Sequence, residues 1–499
     1  VHAVSEAGLN AYGAVTWGQF FVYQGFNSHC GWMHTSGKAD AIDEYKETII
    51  KRKDSLFYKF GSSLKYLSAE KIILAYKDGN KISHKKFTAY HTHRGPVIAK
   101  QGDDWISIRM MQEPLKALTQ SYKRTKVDGF EAFKKIMELR TNTSNNTVFA
   151  DDKGNIAYWH GNFIPIRNPS FDWNSPLDGS NPETDWKGLH TVDEAIHIYN
   201  PPNGWIQNCN STPFTAAGSS SPDKAKYPSY MAPDPENPRG INAVRVLQRE
   251  SQFTIDKLIT AAYDPYLSGF EKLVPSLIDA YDAIGKMDEK LRSRLNEPIT
   301  LLKQWDRGYS ESSIPTTLSI VWATTLMKNV ADQIPAGSGQ LDRINILTNT
   351  PAPLKLTVFS ESIDQLENDF GTWKVGWGEI NRFQRLTGKI NETYDDSQPS
   401  IPVASTSAFW GSLASYGAQK YPGTKKMYGN VGNSFVAVVE FGKKIKAKSL
   451  LAGGESSDPL SPHFNDQALM YSKGQFKDVW FYKEDLVKHT ERTYHPGDN

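Results

Sequence analysis

Along the first third of the chain, aromatic and β-branched residues fall in short runs separated by Gly, Asp and Asn. Phe87-Thr-Ala-Tyr-His91, Val97-Ile-Ala99, Trp105-Ile-Ser-Ile-Arg109 and Thr147-Val-Phe-Ala150 have the length and composition of strands. Between the third and fourth runs the period changes. Phe130, Phe133, Ile136, Met137 and Leu139 recur at near-helical spacing within residues 129–140, which predicts one helix among the strands of residues 1–165. Periodicity lapses over residues 166–240, where Pro, Gly, Asn and Ser accumulate, and long ordered loops are expected there.

Helical spacing returns over residues 241–335. Leu247, Phe253, Ile255, Leu258, Ile259 and Ala262 suit one helix, and Phe270, Leu273, Leu277, Ala280 and Ile284 a second. Residues 336–499 are mixed, with strand-like runs at Leu354-Lys-Leu-Thr-Val-Phe359, Ser434-Phe-Val-Ala-Val-Val-Glu-Phe441 and Lys477-Asp-Val-Trp-Phe-Tyr482. No internal repeat or low-complexity linker divides the chain. The β–α–β order therefore predicts one α+β unit over residues 1–499, whose last strands rejoin the sheets of the first.

Charge narrows the partners. With 57 basic and 55 acidic residues interspersed, and a net charge of +2, the chain shows no basic block of the kind that binds nucleic acid or an anionic membrane. No apolar run approaches the roughly 18 residues that a membrane-spanning helix needs. The only cysteines, Cys30 and Cys209, are too few for a disulfide framework. They are expected as two unpaired, buried thiols, with a mutual disulfide as the alternative.

Standard catalytic signatures are missing: there is no G-x-S-x-G, H-E-x-x-H, C-x-x-C, P-loop or G-x-G-x-x-G. His91 and His93 share one side of a strand, yet no third ligand at zinc spacing accompanies them. The most informative stretch lies near the start. Gly8-Leu-Asn-Ala-Tyr-Gly13, Trp17-Gly-Gln-Phe-Phe-Val-Tyr-Gln-Gly-Phe-Asn27, Gly31-Trp-Met-His-Thr-Ser-Gly37 and Asp40-Ala-Ile-Asp43 look like strands delivering a loop to a site. Further motifs follow: Thr92-His-Arg-Gly-Pro-Val97, the run from Ser144 to Tyr158, Leu177-Asp-Gly-Ser180, Asp185-Trp-Lys-Gly188, Gly204-Trp-Ile-Gln-Asn-Cys-Asn210, and Ser461-Pro-His-Phe-Asn-Asp-Gln467.

In this order, over nearly the whole chain, these segments resemble the large (β) chain of the penicillin acylase family, the N-terminal-nucleophile amide hydrolases. The resemblance implies a four-layer αββα sandwich with a large helical insertion. It also implies a zymogen that cleaves itself, freeing a serine at the first position of the large chain whose own α-amine acts as base. Position 1 here is Val1, so the serine is expected on a segment ahead of it. The implied reaction is hydrolysis of a linear amide between an acyl group and an amine core, such as a β-lactam nucleus or homoserine lactone, through an acyl-enzyme.

The resemblance assigns the oxyanion donors to the Asn210 side-chain amide and the Ser36 backbone N–H, and places Arg245 beside them to orient Asn210 or a substrate carboxylate. It matches Asp40 and Asp43, with the Ile42 carbonyl between them, to a structural calcium site, and implies no organic cofactor. Phe20, Phe21, Trp32 and Met33 become candidate walls of an apolar acyl pocket. A small (α) chain from the same precursor is implied as partner, and periplasmic or secreted localisation as habitat. The alternative is a catalytically silent member that binds an acylated ligand; a sugar-binding surface protein is a third reading, on aromatic content alone.

Overall fold

The computed structural model describes residues 1–101, 104–283, 288–495 and 497. Strands β1 (His2–Val4), β2 (Asn10–Ala14), β3 (Gln24–Asn27) and β4 (Cys30–Ser36) follow one another through short connections. β5 (Asp43–Glu47) opens a second sheet. β6 (Ile49–Arg52), β7 (Ser55–Phe60) and β8 (Ser63–Tyr66) make a meander, and β9 (Ser68–Asp78) with β10 (Lys81–His91) a long hairpin. β11 (Val97–Gln101) pairs with β12 (Asp104–Arg109), which pairs with β5. Helices α1 (Pro114–Lys123) and α2 (Phe130–Met137) precede β13 (Asn145–Asp151) and β14 (Ile156–His160). β15 (Leu177–Asp178) joins β5 in parallel, and β16 (His197–Tyr199) joins β14.

The sheet that carries the site is antiparallel, in the order β1-β2-β3-β4-β13-β14-β16. Alternation decides its two faces. Trp32, Phe149 and Trp159 bury one face against Phe133 and Met137 of α2. Phe26 turns the other way and packs on Ile445, Ala447, Val479 and Phe481. Those residues belong to the end of the chain, where β17 (Asn381–Phe383), β18 (Ile401–Pro402), β19 (Tyr416–Lys420) and β20 (Met427–Gly432) form one sheet. β21 (Phe435–Glu440), β22 (Lys446–Leu451) and β23 (Lys477–Asp478) form another. The Tyr12 and Ser449 hydroxyls, 2.8 Å apart, tie the last sheet to the first across the chain.

Helices fill the interval between. α3 (Pro238–Leu247), α4 (Ile255–Ala262), α5 (Phe270–Ala283), α6 (Glu289–Gln304), α7 (Ile314–Asn329), α8 (Gln340–Asn349) and α9 (Ala352–Phe370) extend well past the expected limit at residue 335. α5 to α9 contribute most of the largest apolar core, with Trp322, Phe359 and Trp377 among its buried residues. The expected Ile284 lies outside the described residues.

Four expectations are corrected. Leu247 to Ala262, expected in one helix, fall on two: Leu247 ends α3, Phe253 lies in the connecting turn and Thr254 caps α4. The run 354–359 is not a strand but the first turns of α9. Its short β-branched run resembled a strand, yet the buried residues Leu356, Val358, Phe359, Ile363 and Leu366 trace one helical face while Thr357 points to solvent. The run 477–482 forms a strand only at Lys477–Asp478, with one further bond from the Val479 N–H to the Ala447 carbonyl (2.9 Å); Val479 and Phe481 are apolar because they enter the core. Within the first 165 residues, α1 joins the single helix that was expected. Cys30 and Cys209 are both free thiols, as expected, with Cys30 buried and Cys209 only partly so.

The α9 assignment has a direct test. Thr357→Pro removes an intrahelical hydrogen bond and forces a clash, at a cost of about 3 kcal/mol or more. The urea midpoint should fall accordingly, whereas an edge strand would tolerate the change.

Candidate active site

The site forms where the end of β4 meets a turn preceding α3. Register pairs Ser36 with Asn145, Thr35 with Asn146 and His34 with Thr147. Gly37 follows Ser36 because the chain passes against Asn146; a Cβ at that position would stand 2.9 Å from Asn146 Oδ1. On the facing turn, Asn210 adopts a left-handed backbone (φ 58°), a conformation that asparagine tolerates better than most residues. Asn208 stabilises the turn by accepting at Oδ1 from the Asn210 N–H (2.9 Å). Asn237, the N-cap of α3, donates to the carbonyls of Cys209 (3.2 Å) and Asn210 (3.1 Å) while accepting from the Gly240 N–H (2.8 Å).

A buried polar chain joins the two sides. Asn146 donates from Nδ2 to Thr35 Oγ1 (3.1 Å), Asn208 Oδ1 (3.3 Å) and the Ser36 carbonyl (3.4 Å), and it accepts from the Tyr158 hydroxyl (2.9 Å). The Thr35 hydroxyl also donates to Asn208 Oδ1. Behind Tyr158, His160 Nδ1 lies 3.1 Å from the phenol oxygen, and its Nε2 lies 3.2 Å from Asp234, which accepts from the Lys38 N–H at 2.8 Å. Burial, reinforced by the Asp234 charge, raises the Tyr158 pKa well above the ordinary phenol range and keeps the hydroxyl protonated.

Asn210 is thereby aimed. Its Nδ2 donates to the Ser36 carbonyl at 3.0 Å, and its Oδ1 accepts from Arg239, which also donates to the Cys209 carbonyl (2.9 Å). Ser36 and Asn210 are thus adjacent, as expected. Arg245 is elsewhere: it donates from Nε to Asn242 Oδ1 (2.7 Å), pairs with Asp264 and stacks on Tyr266 at 4.4 Å. The arginine that orients Asn210 is Arg239. The signal for it was present in Asn237-Pro-Arg239, an N-cap followed by proline at the first helical position, which puts Arg239 in the first turn beside the preceding loop.

The expected pocket walls separate. Met33, partly exposed, lines an apolar cavity of about 320 Å³ with Asn208, Cys209, Val246, Leu258, Tyr263 and Tyr471. Trp32 is buried on the helix-facing side of the sheet, Phe21 is buried, and Phe20 is exposed. Asp40, Ile42 and Asp43 do come together. Asp43 accepts from Arg167 Nε (2.9 Å) and Nη2 (3.2 Å) and from the Trp186 indole, while Arg167 Nη1 donates to the Asp40 carbonyl at 2.8 Å. Burial raises the pKa of both carboxyls, and Arg167 opposes that rise. Asp40 and Ile42 also line a polar cavity of about 300 Å³ with Glu44 and Asn174. His93 lies 2.9 Å from the Tyr58 hydroxyl and 3.0 Å from Asp185, so both ring nitrogens are engaged by protein groups.

Asn146→Leu keeps the branched shape but removes the acceptor of the Tyr158 hydroxyl and the donor to Thr35 and Asn208. A loss of about 1–3 kcal/mol per stranded group is expected from urea unfolding; an unchanged midpoint would show that the network carries no stability.

Comparison with known proteins adds the family. The model of the penicillin amidase family matches residues 1–488. Penicillin G acylase of Escherichia coli is 27% identical over 41% of this chain and 25% of its own length. Acyl-homoserine lactone acylase PvdQ of Pseudomonas savastanoi pv. phaseolicola is 21% identical over 97% of this chain and 65% of its own length. The chain thus spans a quarter of the first relative and just under two-thirds of the second. Among solved structures, a thermostable penicillin G acylase from Alcaligenes faecalis superposes with a TM-score of 0.69 at 17% identity, covering 99% of this chain and 93% of that one. Matched almost from end to end by the family model, the chain belongs to the penicillin amidase family.

Proposed function

We propose that the protein is an acylase that hydrolyses a linear amide between an acyl group and an amine core, such as a β-lactam nucleus or homoserine lactone. One observation carries this reading: the Asn210 amide is held by Arg239 and turned towards Ser36, with only one of its two N–H groups given to the Ser36 carbonyl. A neutral amide fixed in this way donates to a developing oxyanion without a charge that would favour the ground state. The Ser36 N–H is the second donor in this reading. Arg239 is a positioning residue, since it acts through Asn210. Arg245, held by Asn242 and Asp264 at the far end of α3, keeps only a supporting part in the packing of that helix.

The nucleophile in this reading is an N-terminal serine released by self-cleavage and contributed by chain outside these 499 residues, with a small partner chain from the same precursor. The limited share of the relatives' length spanned here supports it. Export to the periplasm or beyond belongs to the same proposal; among the described residues no helix is long and apolar enough to cross a membrane. So does the four-layer αββα arrangement, supported by the helix α2 on one face of the main sheet and the β21–β23 sheet on the other. Intact masses and N-terminal sequencing of the purified protein test the processing. A large chain beginning with serine and a small companion are expected; an unprocessed chain that binds acylated ligands without turnover would make this a silent member.

Asn210→Gly removes the amide without straining the left-handed turn. It should lower kcat about 100- to 1000-fold with little change in melting temperature. Unchanged turnover would remove Asn210 from the oxyanion role.

Calcium is proposed at the cavity beside β5. Asp40, the Ile42 carbonyl and Glu44 would be the hard oxygen ligands there; among the described residues no three acidic side chains converge on one point, and Asp43 joins only by giving up contacts with Arg167. The fit is therefore partial, and it is testable without activity. Calcium should raise the melting temperature, EGTA should reverse the rise, and Asp40→Asn should abolish it; no shift with calcium would exclude the site.

A further inference from the structure

Both donors of the proposed oxyanion site are held by one short segment, Tyr230-Met-Ala-Pro-Asp-Pro-Glu-Asn-Pro-Arg239. Each of its three prolines fixes its own φ and biases the preceding residue to extended backbone, so Ala232, Asp234 and Asn237 have little freedom. One end of the segment serves Asn210. Asn237 donates to the Asn210 carbonyl (3.1 Å) and Arg239 to its side-chain oxygen. The other end serves the loop after Ser36, where Lys38 donates to Asp234 Oδ1 (2.8 Å) and Asp40 to the Tyr230 carbonyl (3.4 Å).

Strand register leaves the Ser36 N–H available. Gly37 donates to the Ser144 carbonyl (2.8 Å), and hydrogen-bonded positions alternate along an antiparallel ladder. Ser36, opposite Asn145, is therefore a position whose N–H points away from β13. On the other side β3 pairs with β4 only at Gly31 and Trp32, so that ladder has ended before Ser36. The direction of this N–H then depends on how the following peptides are held. Of the N–H bonds from Gly37, Lys38 and Asp40, that of Lys38 alone goes to a side chain.

That side chain is itself pinned. Asp234 Oδ2 lies 3.2 Å from His160 Nε2, both residues are buried, and neither atom has another partner among the described residues. His160 is fixed in turn. Its backbone N–H donates to the Ile196 carbonyl (3.0 Å), and its Nδ1 lies 3.1 Å from the Tyr158 hydroxyl. Pairing sets His160 opposite Asn146 and Asn146 opposite Thr35, so the three form one row across β14, β13 and β4.

We propose that Asp234 and His160 are positioning residues that set the spacing between the Ser36 N–H and the Asn210 amide. This rests on the acylase reading above for the identity of the two donors. His160 holds the acid against the sheet, the acid holds the Lys38 peptide, and the prolines carry its position on to Asn237 and Arg239. A displacement at Asp234 shifts both donors relative to an oxyanion that exists in the transition state and not in the bound substrate. Loss of the pin therefore lowers kcat and spares KM.

Exchange and turnover test it separately. In hydrogen exchange on the chain itself, Asp234→Ala should speed exchange of the Lys38 amide about tenfold or more. Asp234→Asn keeps an acceptor for Lys38 and a polar partner for His160, and should retain the protection. With the processed protein and phenylacetyl- or octanoyl-p-nitroanilide, Asp234→Ala and His160→Leu should lower kcat about 10- to 100-fold while KM stays within about twofold. Asp234→Asn should bring kcat back to within about threefold of the wild type. Where Asp234→Ala fails to fold by circular dichroism, Asp234→Glu, which keeps the charge and moves its oxygens by one methylene, should show the same losses. A kcat unchanged by these substitutions, or lowered without faster exchange at Lys38, overturns the positioning role. So does an Asn variant as damaged as the Ala variant. Failure of the wild-type protein to cleave either anilide overturns the acylase reading and the catalytic role with it, whereas normal wild-type turnover with unaffected variants overturns the positioning role alone.

Discussion

Everything at the site depends on the polar chain through Asn146, Tyr158 and Asn208, which lies inside the protein and has to be satisfied there. Buried amides and hydroxyls are tolerated only when their partners are in place, and a satisfied network then fixes one geometry. Asn146 binds the end of β4 and the 208–211 turn at once, so neither moves without the other. The register of β4 against β13 sets which residues face this chain. A slip by one residue would turn Asn146 to the opposite face of the sheet and dissolve the contact.

Buried guanidinium groups extend the same logic to the long loops. Arg167 ties the loop after β14 to the acids around β5, and Arg94 ties Glu47 of β5 to the 179–185 segment. In each case several acceptors surround one planar donor, which lets polar loops pack as tightly as a core. Loops rich in Pro, Gly and Asn thus become a rigid support for the site.

The site's residue types were legible, but one partner was not. Asn210 and Ser36 meet as the ordered motifs implied, because both lie in segments whose turns are dictated by Gly and Asn. The arginine at Asn210 is Arg239, six residues before Arg245 on the same helix. Arg239 and Arg245 sit on the same helix, and only the direction in which α3 leaves the turn decides that the first reaches Asn210 and the second Asp264. The acids Asp40 and Asp43 were legible as a pair, while their common partner Arg167, more than a hundred residues away, was not.

Local pattern determined a great deal: the strands of the first third, the helix at residues 130–137, the looped middle and the helical interval all follow from period and turn chemistry. It failed at residues 354–359, where a short apolar run satisfies both periods and only burial against α5 and α7 selects the helix. Partnership was decided by the tertiary structure alone. Which arginine finds an acid, which asparagine is turned towards Ser36 and which aromatic lines a cavity depend on contacts between residues far apart in sequence. Spacing along a chain encodes the faces of its elements, but their meeting is fixed only when the whole core closes.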